Sequence, residues 1–114
     1  MPYISTRTTV AINEEKKENI KAKLGKAIEI IPGKSEQWLM LSFEDKASMY
    51  FKGSNEKPIA YVEVSSFGKA PADAYSKLTK AVCDILKEEL EIPADCVYVK
   101  YEEVSIWGWN NKNF

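Results

Sequence analysis

The residue with the most chemical potential in this sequence is the second one. A Met1-Pro2 start puts a small residue after the initiator methionine, which permits removal of that methionine, and Pro2 would then carry a free secondary amine. A free α-amino group titrates near ~7.7–8.0, which leaves roughly 10% of it as base at pH 7. Burial in an apolar pocket beside cations lowers that value. A fall of about two units corresponds to ~2.7 kcal/mol and raises the free-base fraction to roughly 90%. Such an amine is a usable general base. The chain has no histidine, which removes Ser-His-Asp and Cys-His activation, imidazole acid-base chemistry and the commonest ligand of zinc, iron and copper. Cys83 and Cys96 are the only thiols. Their spacing fits neither a redox CxxC nor a zinc knuckle, so they read as reduced, partly or wholly buried cysteines. Glu102 and Glu103 are adjacent carboxylates, but neighbours on a strand point to opposite faces, so they do not make an acid-base pair. The sequence calls for no metal and no cofactor.

The elements that must position this amine follow from periodicity. Tyr3 to Val10 is rich in β-branched residues and reads as a strand. Asn13 is placed to cap a helix whose first turn carries Glu14 and Glu15, as the helix dipole favours. Ile20, Leu24, Ala27, Ile28 and Ile31 give that helix one apolar stripe, and Pro32-Gly33 stops it. Trp38 to Phe43 is short and apolar, a largely buried strand. The turn-rich Gly53 to Lys57 precedes a restart at Pro58. Ile59 to Val64 is a strand, Ser66 to Pro71 a connecting loop, and Tyr75, Leu78, Val82, Ile85 and Leu86 a second helical stripe closed by Ile92-Pro93. Val97 to Tyr101 alternates as a strand. The runs Glu14 to Glu18 and Lys87 to Glu89 read as solvated helix faces.

The two halves match: Pro2 and Pro58 at strand starts, Ile31-Pro32 and Ile92-Pro93 after helices, Phe43-Glu44 and Tyr101-Glu102 at second strands. This is an internal repeat, about residues 2–57 and 58–114, within a single 114-residue domain. Each strand-helix-strand unit sets its strands parallel, so the expected α+β fold is a four-stranded mixed sheet with two antiparallel helices on one face. Leu39, Leu41, Ile59, Val97 and Val99 suggest apolar residues on both faces, and therefore a second face and edges that meet other subunits.

Composition sets the outer limits. Sixteen basic and 17 acidic residues leave a net charge of -1, which lacks the basic footprint of a nucleic-acid binder. The start is too polar for a signal peptide and no run approaches a spanning helix, so no membrane insertion is expected. Synthesis in the cytosol is expected, and secretion would need another route.

Pro2, Gly33-Lys34 after the first helix, Gly53-Ser54-x-Glu56, Ser66-Phe67-Gly68, the Val97-Tyr98-Val99 strand and the closing Gly108-Trp109-Asn110-Asn111-x-x-Phe114 run together resemble the macrophage migration inhibitory factor family of the tautomerase superfamily. The likeness covers essentially the whole chain. It implies a homotrimer with a central channel, pockets at subunit boundaries, and keto-enol tautomerisation of 2-keto acids such as phenylpyruvate. Carried over, Pro2 is the base and Lys34 the cation that meets the substrate carboxylate. Backbone at Ser66 and Phe67 lines the same end, Tyr98 arrives from the neighbouring subunit, and Trp107, Trp109 and Phe114 form an aromatic rim with Tyr3 and Trp38.

Four departures bear on the site. Ile59-Ala60-Tyr61-Val62 stands where animal members carry a CxxC, so a thiol oxidoreductase is not supported. Lys100 replaces their usual Asn and adds a second cation to the expected pocket, which favours anionic substrates. Phe67 is bulkier than the usual aliphatic residue, and the segment between Glu103 and Trp107 is shorter. A different class of function stands beside the enzyme: the resemblance also implies a secreted, cytokine-like protein whose trimer binds a cell-surface receptor, with tautomerase activity as a vestige. An inert trimeric scaffold is the third reading.

Overall fold

The computed structural model describes residues 1–114. Its order is β1 (Pro2–Thr8), α1 (Glu14–Ala27), β2 (Met40–Glu44), β3 (Ala60–Phe67), α2 (Ala72–Leu90), β4 (Val97–Val104) and a small terminal hairpin, β5 (Gly108–Trp109) and β6 (Lys112–Asn113). Short 3-10 turns occupy Ile28–Ile30, Glu36–Trp38 and Ala94–Cys96. The main sheet runs β2-β1-β3-β4. Strands β1 and β2 are parallel, as are β3 and β4, and the two units meet where β1 and β3 pair antiparallel from Pro2↔Ser66 to Thr8↔Ala60. The repeat legible in the sequence is therefore a near-twofold arrangement within one chain.

Local chemistry accounts for the helix ends. The Asn13 side chain accepts from the Lys16 amide at 2.8 Å and caps α1. Helix α2 ends with Glu91 at φ 56°, a left-handed cap immediately before Ile92-Pro93. Both helices lay their stripes on one face of the sheet. Ile20, Leu24 and Ile28 from α1 and its following turn, and Leu78, Val82 and Leu86 from α2, are buried over Ile4, Val62 and Val64. Thr6 and Thr8 share this inward face, and the Thr8 hydroxyl donates to the Ile59 carbonyl at 2.7 Å, which offsets the cost of burying it.

Four expectations are corrected. Much of the open sheet face is polar: Ser5, Arg7, Ser42, Glu44, Glu63, Ser65, Lys100 and Glu102 alternate with the inward residues, with Tyr3 and Met40 at one end and Tyr61 and Tyr98 at the other, while Leu41, Val97 and Val99 pack against the core. Trp38 and Leu39 precede β2, because the 3-10 turn at Glu36–Trp38 uses up those residues before pairing with Tyr3 begins at Met40. Ser66 and Phe67 belong to β3, held by pairing with Pro2 on one side and with Glu103 and Val104 on the other. The strand stops only at Gly68, whose φ of +90° other residues rarely adopt. Finally, the Lys87–Glu89 run is not a wholly solvated face. The Glu89 carboxylate is only 9% exposed and accepts from Lys23 at 2.6 Å and Asn19 at 3.2 Å, tying α2 to α1.

Candidate active site

Pro2 is buried at the head of β1, opposite Ser66. The Phe67 amide donates to the Met1 carbonyl at 3.2 Å, which anchors the N-terminus to the end of β3. Lys34 reaches the same place from the turn after α1. Gly33 at φ 82° reverses the chain there, and the Lys34 amide bonds back to Ile31 at 3.1 Å. Its Nζ donates to the Phe67 carbonyl at 2.7 Å. The terminal amine of Met1 feels both surroundings: burial first, then the charge of Lys34 and a hydrogen bond from it, lower its pKa from 8.0 to about 6.

In front of the terminus lies an open cleft of about 750 Å³, lined by Met1, Pro2, Tyr3, Gln37, Trp38, Leu39, Met40, Ile106, Trp107, Gly108 and Trp109. Asn110 and Asn111, at φ 53° and 69°, turn the β5-β6 hairpin that brings the C-terminal aromatics here. The Phe114 amide donates to the Trp107 carbonyl at 2.9 Å and closes the tail on itself. Trp38 meets Trp109 edge-on with centroids 5.0 Å apart, Trp109 stacks on Phe114 at 6.4 Å, and Phe114 lies 5.9 Å from Phe67. Tyr3 is steered by its hydroxyl's hydrogen bond with Ser42 at 2.7 Å. An apolar, aromatic wall with one lysine and one low-pKa amine at its end suits a flat ligand carrying a carboxylate. No three His, Cys, Asp or Glu side chains converge to hold a metal ion.

The family model described as macrophage migration inhibitory factor (MIF) matches residues 1–113. The chain belongs to the macrophage migration inhibitory factor family. The Xenopus laevis macrophage migration inhibitory factor is 29% identical over 116 residues, spanning 100% of this chain and 99% of its own. Among solved structures, Leishmania major MIF2 superposes with a TM-score of 0.92 at 33% identity, covering 100% of this chain and 97% of its own. A Prochlorococcus marinus homologue of macrophage migration inhibitory factor gives 0.83 at 30% identity, with 98% of both chains covered. The four-stranded mixed sheet with two helices is thus the MIF fold.

Within one subunit of this MIF-family chain, Pro2, Lys34, Phe67, Trp107, Trp109 and Phe114 gather at one end of the sheet, with the Ser66 side chain buried behind Pro2. Tyr98 does not join them. It stands at the other end of the sheet, 62% exposed, with its ring edge-on to Phe51 at 5.0 Å. Lys100 lies between, on the open face, with Nζ 3.9 Å from Glu63. Neither residue reaches the Pro2 of its own chain, because β4 begins at the far end of the sheet and comes level with Pro2 only at Glu103. Sequence reasoning missed Gln37, Met40 and Ile106. Met40 and Ile106 are both exposed in the subunit, whereas in the sequence Met40 between Leu39 and Leu41 reads as part of a buried strand, so no local signal marked it.

Proposed function

We propose that this protein is a cofactor-independent keto-enol tautomerase of phenylpyruvate-like 2-keto acids. Pro2, freed by loss of Met1, removes a proton from the carbon beside the keto group. Lys34 and backbone donors at the end of β3 hold the substrate carboxylate and the developing enol. The observation that carries this reading is the environment of the terminus: burial first, and then the same lysine that anchors to the Phe67 carbonyl at 2.7 Å, lower the Met1 amine to about 6. Loss of Met1 moves the amine one residue inward to Pro2, which is itself buried.

The working unit in this reading is a homotrimer. The exposed Tyr50 and Tyr98 at one end of the sheet, and Trp38, Met40, Ile106 and Trp109 at the other, are two apolar patches that one subunit cannot cover by itself. In the trimer the first patch of one subunit meets the second of the next, which delivers Tyr98 and Lys100 to a neighbour's Pro2. A spectrophotometric phenylpyruvate assay on protein whose intact mass shows loss of Met1 tests the function. Enol-keto conversion well above the buffer rate is expected, and a rate equal to buffer rejects the reading.

A further inference from the structure

The segment that anchors Lys34 is itself held by groups outside the cleft. After Phe67, the Gly68 amide donates to the Val104 carbonyl at 3.0 Å. Two residues on, the Ala70 amide donates to Glu103 Oε2 at 3.0 Å, and the Tyr75 hydroxyl, near the start of α2, donates to the same oxygen at 2.7 Å. The Tyr101 hydroxyl, two residues earlier on β4, donates to the Tyr75 carbonyl at 3.0 Å. The whole turn from β3 into α2 is therefore tied to the end of β4, and the Phe67 carbonyl sits at the start of that turn.

We propose that Glu103 is a positioning residue for Lys34: its carboxylate clamps Ala70 and Tyr75, and so fixes the Phe67 carbonyl on which the lysine is anchored. The catalytic part of this inference rests on the tautomerase reading, whereas the geometric part does not. The titration behaviour agrees with a tight clamp. Burial and the bond to Glu103 push the Tyr75 phenol up to about 12, and the bond from Tyr75 and then that from Ala70 hold Glu103 below its usual value. Around the terminal amine, the charged and titratable side chains are Lys34 and the Tyr3 phenol in the cleft.

The sign of the effect separates positioning from simple charge. Removing a negative charge makes a nearby ammonium harder to hold, so a purely electrostatic Glu103 would, on removal, lower the amine pKa. Loosening Lys34 acts oppositely, because a displaced lysine no longer disfavours the ammonium. The experiment compares Glu103→Ala, Glu103→Gln, Tyr75→Phe and Glu102→Ala, each checked for a native melt and oligomeric state. Glu102 points to the open face and matches the charge change. The pH dependence of N-terminal acylation by a water-soluble anhydride, followed by mass spectrometry, reads the amine directly, and kcat/KM against pH reads it through activity. Glu103→Ala should move the amine pKa upward by roughly half a unit to one unit, which is about three- to tenfold in kcat/KM on the acidic limb. Tyr75→Phe should shift it partway. Glu103→Gln, which keeps the acceptor, and Glu102→Ala should stay within about 0.2 unit of wild type, a shift of under twofold. A downward or absent shift in folded Glu103→Ala, or an equal upward shift in Glu102→Ala, overturns the positioning role. If Glu103→Ala fails to fold, Tyr75→Phe decides alone, with no upward shift counting against the proposal. An upward shift by acylation in a protein without tautomerase activity would keep the clamp and reject the proposed function.

Discussion

Removing the Lys34 ammonium should damage this site twice, and the two losses differ in their dependence on pH. As a charge-assisted donor to the substrate carboxylate, Lys34 accounts for roughly 1.5–3 kcal/mol, so Lys34→Ala should lose on the order of ten- to a hundredfold in kcat/KM. Burial and then Lys34 lower the Met1 amine from 8.0 to about 6, and the same two causes would act in the same direction on a Pro2 amine, for which these values serve as the bounds. Burial persists in the mutant, so the amine pKa should come to rest between those two values. At pH 7 an amine of pKa 6 is roughly 90% free base and one of pKa 8 roughly 10%, which bounds the second loss at about tenfold. At pH 9 the amine is mostly free in both proteins and only the carboxylate loss remains. Profiles of kcat/KM for phenylpyruvate between pH 5 and 9, with a ketone lacking the carboxylate as comparison, separate the two. The deficit should be larger at pH 6 than at pH 9, and with the neutral ketone the loss at pH 9 should nearly vanish. A deficit that is the same at every pH would refute the argument that Lys34 acts on the amine. An equal loss with the neutral ketone would refute its role as carboxylate partner.

Further consequences can be measured independently. Light scattering at micromolar concentration should give a mass near three times 12.9 kDa, and Tyr98→Glu, which puts a charge into the first apolar patch, should lower that mass; a monomeric wild type would leave Tyr98 with no neighbouring cleft. Glu89 is held below its usual carboxylate value, first by the hydrogen bond from Lys23; its stabilising contribution is therefore present above the ordinary value of 4.5 and lost as pH falls through the depressed one. Thermal melts should show the wild type losing more stability between pH 6 and pH 3 than Glu89→Gln does. Leu78 is fully buried, so Leu78→Ala should cost about 2–5 kcal/mol in chemical denaturation. Within α1, Gly25 faces the carboxylate of Glu36, an exposed side chain that can swing aside. Gly25→Ala should then raise the melting temperature, by a gain of up to about 1 kcal/mol in helix propensity.

Most of the frame was legible because it rests on short-range periodicity. The Ile20-Leu24-Ile28 and Leu78-Val82-Leu86 stripes specify two one-sided helices, and Asn13 and Ile92-Pro93 mark their limits. The repeated strand-helix-strand pattern then leaves few topologies. Long-range pairing was not legible. Nothing local in Ser66-Phe67 distinguishes a loop from a strand end; the choice is made by Pro2 on one side and Glu103 and Val104 on the other. Glu89 looked like any surface glutamate, because Lys23 and Asn19 lie on the other helix. Leu41, Val97 and Val99 suggest an apolar second face only until strand alternation turns them inward against the core. The tail hairpin had a readable signal in Asn110-Asn111, a pair that tolerates positive φ. For the site, Pro2 and Lys34 stood out by residue type and by resemblance, but the Glu103-Tyr75 clamp depends on contacts 28 residues apart and has no sequence signature.

The central claim is that a free Pro2 amine is the base, and adding one residue in front of Pro2 tests it most directly. The extension converts the amine into an amide while leaving every side chain of the cleft in place. With the N-terminus of both proteins confirmed by intact mass and both shown to share one oligomeric state and melting temperature, phenylpyruvate tautomerase activity is measured side by side. The Met1-free protein should be active and the extended protein should fall to the buffer rate. Full activity in the extended protein would contradict the account, because the group that takes the proton would then lie elsewhere.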